Sequence, residues 1–350
     1  MNYGTLPSRF LNAIDSLPNA RAQMFREADG WKPISSEEFL RRVAGLSTAF
    51  VELGVKPGDR VGLFAGNRPE WHTADFAITG AGGSTVPIYF NESPERITYI
   101  LKHSGAKCVF AAGAPQMQKL QAVRAQLPEL EQIILADCGS DPPPDTLRYE
   151  TLIASGGGAD VAAYRMRSSQ VLPGQLASII YTSGTTGEPK GVMLTHTNIC
   201  SNVTDSCINV KFDPRNDVAI SYLPLAHISG RVVNYAHIFF GIPLAYVEVV
   251  ENVAQALLEI RPTLLDGVPR VFEKIYTRIV EQGSKRTGLQ RGIFDWAMGV
   301  APRAALWRSG EKSASLPLKL EWAIANKLVY SKIREGTGGK LRIVSSGGAP

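Results

Sequence analysis

The chain has 350 residues, 44% hydrophobic and 20% charged, with 37 Lys/Arg against 32 Asp/Glu. That length holds two domains or one large α/β unit, and the composition excludes collagen-like, low-complexity and wholly disordered chains. Four cysteines (Cys108, Cys138, Cys200 and Cys207) without CxxC spacing, and five histidines without HExxH, predict neither a disulfide frame nor a metal cage, so no metal ligand is assigned.

In chain order, Ser35 with Glu38 three residues on predicts a capping box. Phe39, Val43, Leu46, Phe50 and Leu53 then share one helical face, which Gly54 ends. The strand RVGLF follows, then a helix from Pro69 to about Gly80 and the strand STVPIYF. Ser93-Pro94 starts PERITYILKHSG as N-cap and first-turn proline. KCVFAA, a helix near Gln116 to Gln126, and QIILAD continue the alternation. Strand–helix repetition with short connections predicts a mostly parallel sheet covered on both faces.

The pattern weakens after Asp137, through Pro142-Pro143-Pro144 and Gly156-Gly157-Gly158. Residues 151–175 therefore read as a connection between a first α/β subdomain, about 1–150, and a second, 176–350. The second half holds the strands LASII and GVML, a helix from about Thr197, DVAISYLPL, and a helix from His227. It closes with IPLAYVEV, a helix from Val253, TLLDGVP, a long helical region and LRIVSSGGAP. The apolar run from Val232 to Val250 is interrupted by Asn234, His237, Pro243 and Glu248, and reads as helix, break and strand rather than a membrane span.

Nothing at the amino terminus reads as a secretory signal, so a cytoplasmic protein is expected. Charge is uneven: residues 261–350 hold 16 Lys/Arg and 7 Asp/Glu, whereas residues 1–260 hold 21 and 25. Such a basic final quarter suits phosphates, an anionic membrane or simply a solvated helix surface. Trp296, Trp307 and Trp322 lie among Arg291, Arg303, Arg308 and Lys312, which points to peripheral membrane contact or to core tryptophans beside solvated cations. A nucleic-acid partner is not expected, because no nucleic-acid-binding motif accompanies the charge.

The densest chemistry is YTSGTTGEPKGVMLTH, Tyr181 to His196. Its glycines let backbone amides approach an anion, while Ser183, Thr185, Thr186 and Lys190 add side-chain donors and one positive charge. Flanking strands put the loop at a strand end, where α/β folds place ligands. Lys190 is followed by Gly191 rather than by Ser or Thr, so this is not a Walker A loop.

The string resembles the phosphate-loop signature of the adenylate-forming (AMP-binding) superfamily, which includes acyl-CoA synthetases, peptide-synthetase adenylation domains and luciferases. SYLPLAHISGR, Ser221 to Arg231, resembles the superfamily's LPLxH motif near the acyl pocket. Long-chain members usually carry Glu-Arg after it, and Gly230-Arg231 stands at that place here. DGVPRVFEKIY, Asp266 to Tyr276, resembles the VPRVWEKIY segment of long-chain acyl-CoA synthetases, with Phe272 for the tryptophan. The terminal SSGGAP resembles the strand end that lines the adenine and acyl pocket, and KPGDRVGLFAGNRPEW resembles the family's amino-terminal region. The resemblance runs from about Trp31 to Pro350.

It implies an α/β fold: the large N-terminal domain of the adenylate-forming fold, with two layered αβαβα subdomains and mostly parallel sheets. It implies a long-chain fatty acid–CoA ligase using ATP, Mg²⁺ and coenzyme A, in which acyl-adenylate precedes acyl-CoA. Thr182, Ser183, Gly184, Thr185, Thr186, Gly187 and Lys190 would hold the ATP phosphates, and Gly347, Gly348, Ala349 and Pro350 would flank adenine. His227, Arg231, Gly267 and Val268 would line the acyl pocket, with Lys190 and His227 as catalytic groups. The family's YGxTE motif, ribose-binding aspartate, hinge and C-terminal domain with its lysine are absent from these 350 residues, which therefore read as part of a longer ligase. Two alternatives stay open: an adenylation domain for an amino or aryl acid, and a non-catalytic nucleotide-binding protein.

Overall fold

The computed structural model describes residues 3–137, 139, 143–154, 157–182 and 188–348. The chain forms two compact units, Met1–Val250 and Glu251–Pro350.

The first unit opens with α1 (Leu6–Ser16), β1 (Gln23–Glu27), β2 (Gly30–Ile34), α2 (Ser36–Glu52), β3 (Arg60–Phe64), α3 (Pro69–Gly80) and β4 (Ser84–Ile88). Then come α4 (Pro94–Ser104), β5 (Cys108–Ala112), α5 (Ala114–Val123), β6 (Gln132–Ala136), β7 (Leu147–Arg148), α6 (Tyr149–Ala154) and α7 (Gly158–Gln170). It ends with β8 (Leu176–Thr182), β9 (Lys190–Thr195), α8 (His196–Ser206), β10 (Ala219–Ser221), α9 (Ile228–Phe239) and β11 (Leu244–Tyr246).

Seven strands form one sheet in the order β7-β6-β5-β3-β4-β8-β9. All neighbours run parallel except β8 and β9, an antiparallel pair with Thr182 opposite Lys190. β4 and β5 are buried along their whole length, as strands covered on both faces must be. Elsewhere in this unit β10 and β1 flank β11 in parallel, and β2 pairs antiparallel with β1.

α3 is buried on every face and packs on α1, α2, α7, β1, β3 and β4. In a helix so enclosed polar groups are expected to be paired: Asp75 is, whereas His72 meets the Tyr246 hydroxyl through Nδ1 at 2.8 Å and its Nε2 has no hydrogen-bond partner among the described residues. α2 keeps Phe39, Val43, Leu46 and Phe50 buried on the predicted face.

The predicted capping box is half formed. Ser35 Oγ accepts from the Glu38 N–H at 3.1 Å, but the Glu38 carboxylate turns to Arg41 and Arg42, at 2.7 and 2.6 Å. Two cations outcompete one backbone N–H for that carboxylate, and the Arg41 hydrogen bond above all lowers the Glu38 pKa to about 2.

The units also divide the chain differently from the sequence pattern. The stretch 151–175 carries most of α6 and all of α7, which pack on α2, and β8 and β9 join the sheet of the first half. A Gly- and Pro-rich composition reports a weak local preference, and packing against α2 overrides it. Cys138, Pro142 and Gly156 lie outside the described residues.

In the second unit, α10 (Val253–Ile260), β12 (Leu264–Gly267), α11 (Pro269–Ser284), α12 (Gly288–Arg308) and α13 (Leu316–Ala325) lead to a π-helical turn, Asn326–Tyr330. α14 (Ser331–Glu335) and β13 (Ile343–Ser346) complete it, β13 parallel to β12. Phe294, Ala297, Val300, Ala325, Val329 and Tyr330 form its helical core, and the Tyr330 hydroxyl donates to the Ala297 carbonyl at 2.5 Å. Pro302 lies within α12, and Pro317 starts α13, where a first-turn proline forfeits no hydrogen bond.

Candidate functional site

β8 runs parallel to β4, so its carboxyl end, Thr182, points to the side of the sheet where α/β folds bind ligands. Across the hairpin stands Lys190, exposed like Thr182, and Ser183 to Pro189, of which the first five are Ser183 to Gly187, connect them in sequence. Those five residues lie outside the described residues, as do Ala349 and Pro350. The strand before and after the loop, and the absence of a helix after Lys190, agree with the sequence reading.

The base of this hairpin is held by α4. Tyr99 donates its hydroxyl to the Pro189 carbonyl at 3.0 Å, and His103 Nδ1 meets the Tyr181 hydroxyl at 2.8 Å. Burial first, then the neighbouring Tyr99, pushes the Tyr181 phenol up to about 12, so it stays protonated. Sequence reasoning missed Tyr99 and His103, although their i, i+4 spacing puts both on one helical face.

His227 is the N-cap of α9 and is exposed. Its Nδ1 accepts from the Ser229 N–H at 3.1 Å and lies 2.7 Å from Ser229 Oγ. With Nδ1 an acceptor, the neutral ring carries its proton on Nε2. The turn before it is tied down by buried Asn67, which donates to the Leu223 carbonyl at 2.8 Å.

Arg231, expected on the acyl pocket, lies instead in the interior with no exposed surface. Its guanidinium donates to Asp75 Oδ1 at 2.9 Å, Ser178 Oγ at 2.7 Å, and the Tyr235 hydroxyl at 2.6 and 3.2 Å. Tyr235 in turn donates to Asp75, as does Thr85 Oγ1 at 2.7 Å, and Ser178 Oγ donates to the Thr85 carbonyl at 2.7 Å. The Trp71 ring faces the cation with its centroid 5.1 Å away. Burial alone would lower the Arg231 pKa, but the Tyr235 oxygen and the Asp75 carboxylate outweigh it and raise it. A fully buried arginine survives only with such pairing. Arg231 turns inward because it stands on α9 four residues before Tyr235, on the face turned to α3 and β8.

In the second unit, β12 and β13 bring Gly267 beside Ser346, and the Gly347 N–H donates to the Gly267 carbonyl at 3.2 Å. The predicted Gly267, Val268, Gly347 and Gly348 thus converge at the ends of two adjacent parallel strands. Asp266 accepts from Ser345 Oγ beside them.

Comparison with known proteins then places the chain. It belongs to the AMP-binding enzyme family, whose profile matches residues 10–350. It is 30% identical over 345 residues to the long-chain-fatty-acid–CoA ligase ACSBG2 of Xenopus laevis, covering 95% of this chain and 46% of that protein. It is 32% identical over 330 residues to the long-chain-fatty-acid–CoA ligase FadD15 of Mycobacterium bovis, covering 93% and 53%. The chain spans about half the length of the curated relatives it matches. Among solved structures, the A domain of carboxylic acid reductase from Segniliparus rugosus, in complex with AMP and a co-purified carboxylic acid, superposes with a TM-score of 0.70. It is 17% identical and covers 100% of this chain and 57% of its own. The anthranilate CoA ligase AuaEII, in complex with anthranoyl-AMP, gives a TM-score of 0.67 at 22% identity, covering 76% and 50%. At those identities the likeness establishes the fold.

Proposed function

We propose that this chain is the ATP- and acid-binding part of a long-chain fatty acid–CoA ligase, an acid–thiol ligase. The observation that carries the proposal is the β8–β9 hairpin, which sets Thr182 and Lys190 opposite one another on either side of the glycine-rich sequence Ser183–Gly187. Backbone amides, hydroxyls and one lysine suit a polyphosphate. Similarity to long-chain ligases over 93–95% of the chain supports the substrate class.

The chemistry has two steps. A carboxylate oxygen of the fatty acid attacks the α-phosphorus of ATP; the new P–O bond forms as the bond to pyrophosphate breaks. The coenzyme A thiolate then attacks the acyl carbon, forming the thioester and expelling AMP. Such steps depend on positioning and on charge stabilisation. In this reading Lys190 offsets phosphate charge, and the His227 Nε2–H stands at the N-terminus of α9 to orient the acid. Gly347 and Gly348 approach adenine, and Gly267 and Val268 border the acyl group. In this reading Mg²⁺ would accompany the ATP phosphates and offset their charge; among the described residues no cluster of three His, Cys, Asp or Glu side chains suits a metal ion.

Acid-dependent exchange of labelled pyrophosphate into ATP, run with palmitate, benzoate and amino acids, tests the reading. The 350 residues alone are expected to bind ATP but to form little or no acyl-CoA, whereas the longer ligase exchanges with palmitate. Exchange driven by an aryl or amino acid would favour the adenylation-domain alternative. Tight ATP binding without exchange by any acid, in the longer protein, would favour a non-catalytic nucleotide binder.

We also propose a cytoplasmic protein that touches a membrane surface through its second unit. No helix among the described residues is long and apolar enough to cross a membrane. Leu316, Leu320, Ile324 and Leu328 nevertheless form an exposed stripe at i, i+4 spacing, 82% exposed at Leu316, beside exposed Lys319 and Lys327. Of the tryptophans, Trp296 is exposed, whereas Arg308 covers Trp322 and Lys319 covers Trp307, with centroid distances of 5.5 and 5.9 Å. Sedimentation with vesicles containing phosphatidylserine is expected to carry the chain down, and Leu320→Ser with Ile324→Ser to release it. Equal sedimentation of the variant would exclude this stripe.

A further inference from the structure

The structure supplies an acid for Arg231 from another part of the chain. No side chain fits at position 230: a Cβ there would stand 2.5 Å from the Pro224 carbonyl oxygen and 2.9 Å from that of Leu223. Asp75 of α3 fills the need, and both side chains are fully buried. Only one arm of the guanidinium is spent on the ion pair. Another reaches Ser178 in β8, four residues before Thr182. Ser178 in turn donates to the Thr85 carbonyl, and Thr85 to Asp75, closing a ring through β4, β8, α3 and α9.

We propose that Asp75 and Arg231 are positioning residues: a buried clamp that sets β8, the strand entering the phosphate loop, against α9, the helix capped by His227. Arg231 thereby governs nucleotide binding through Ser178, without touching acid or nucleotide. The nucleotide half of this inference rests on the proposed function; the clamp itself does not. The clamp makes a distinction that a purely stabilising ion pair does not. Buried ion pairs are often replaceable by apolar pairs of similar volume at little cost in stability. A clamp replaced in that way keeps the fold and loses the placement of β8.

The test uses two variants of the 350-residue chain, Ser178→Ala and the double variant Asp75→Leu with Arg231→Met. Melting temperature, hydrogen exchange of the amides of residues 176–182, and the ATP dissociation constant by equilibrium dialysis are measured for each. Ser178→Ala keeps the ion pair, so it folds even where the double variant does not. We expect melting within a few degrees of the parent, β8 exchange about tenfold faster, and ATP binding weaker by about tenfold, the size of one charge-assisted hydrogen bond. Parental exchange and parental ATP affinity in a folded variant would overturn the proposal. Faster exchange with unchanged affinity would overturn its nucleotide half. If the parent chain binds no ATP, the proposed function fails instead, and the exchange rates still decide whether the clamp exists.

Discussion

Gly230 and Arg231 show how far a single position can mislead. Read along the chain, Gly-Arg looks like a motif that has lost its acid; in space the acid is Asp75, 2.9 Å from the guanidinium. Restoring a glutamate at 230 is therefore expected to harm the protein. Its Cβ would press on two backbone carbonyl oxygens, which cannot swing aside as a side chain can. Gly230→Glu should cost roughly 3 kcal/mol or more, read as a fall in denaturation midpoint. A variant as stable as the parent would show that the turn at Leu223–Pro224 relaxes freely. In the sequence Asp75 was legible only as an acid in the middle of a helix rich in apolar residues, five positions after Glu70. Its partners come from positions 85, 231 and 235, separations that no local pattern encodes.

Elements were read more reliably than their side-chain partners. The predicted strand RVGLF and the helix Pro69 to Gly80 agree with β3 and α3, and α4 begins with Ser93 as N-cap and Pro94 in its first turn. These signals are local: a cap, a proline and an apolar period act within one turn or one strand. The unmade half of the Ser35–Glu38 box gives a prediction at this scale. Ser35→Ala should lose about 1 kcal/mol, the usual worth of an N-cap. Glu38→Gln should lose its ion pairs with Arg41 and Arg42 while the cap survives, which in this half-exposed setting amounts to about 0.5 kcal/mol. Chemical denaturation of the two variants checks the order; a larger loss for Glu38→Gln would mean that the ion pairs, not the cap, start α2.

For the molecule as a whole, pH is the simplest probe of burial. His72 is lowered to about 3 by burial and then by the Arg231 charge, and His196 to about 4 by burial alone. In the unfolded chain both take up protons near the ordinary value of 6.5. Below that pH the unfolded state binds more protons than the folded one, so stability present above pH 6.5 is lost as pH falls towards 4 and 3. Each histidine contributes up to about 1.4 kcal/mol per pH unit in that window. Glu38, held at about 2, adds loss of the same sign below its ordinary 4.5, while Glu248, raised chiefly by burial, opposes it. Melting temperature is expected to fall steadily from pH 7 to pH 4.5. His196→Gln, whose amide oxygen can still accept from the Leu6 N–H, should flatten the slope. An unchanged slope in that variant would mean His196 is already exposed to protons in the folded state.

By itself, the sequence determined the α/β alternation, the strand–loop–strand form around the glycine-rich run, and the family, because each is written in neighbouring residues. Tertiary structure alone decided that β8 and β9 complete the first sheet, that Tyr99 and His103 brace the hairpin, and that Arg231 is an internal clamp. Those outcomes follow from long-range packing and from the cost of burying an unpaired charge, which bind residues far apart in the chain and leave no mark on either neighbourhood.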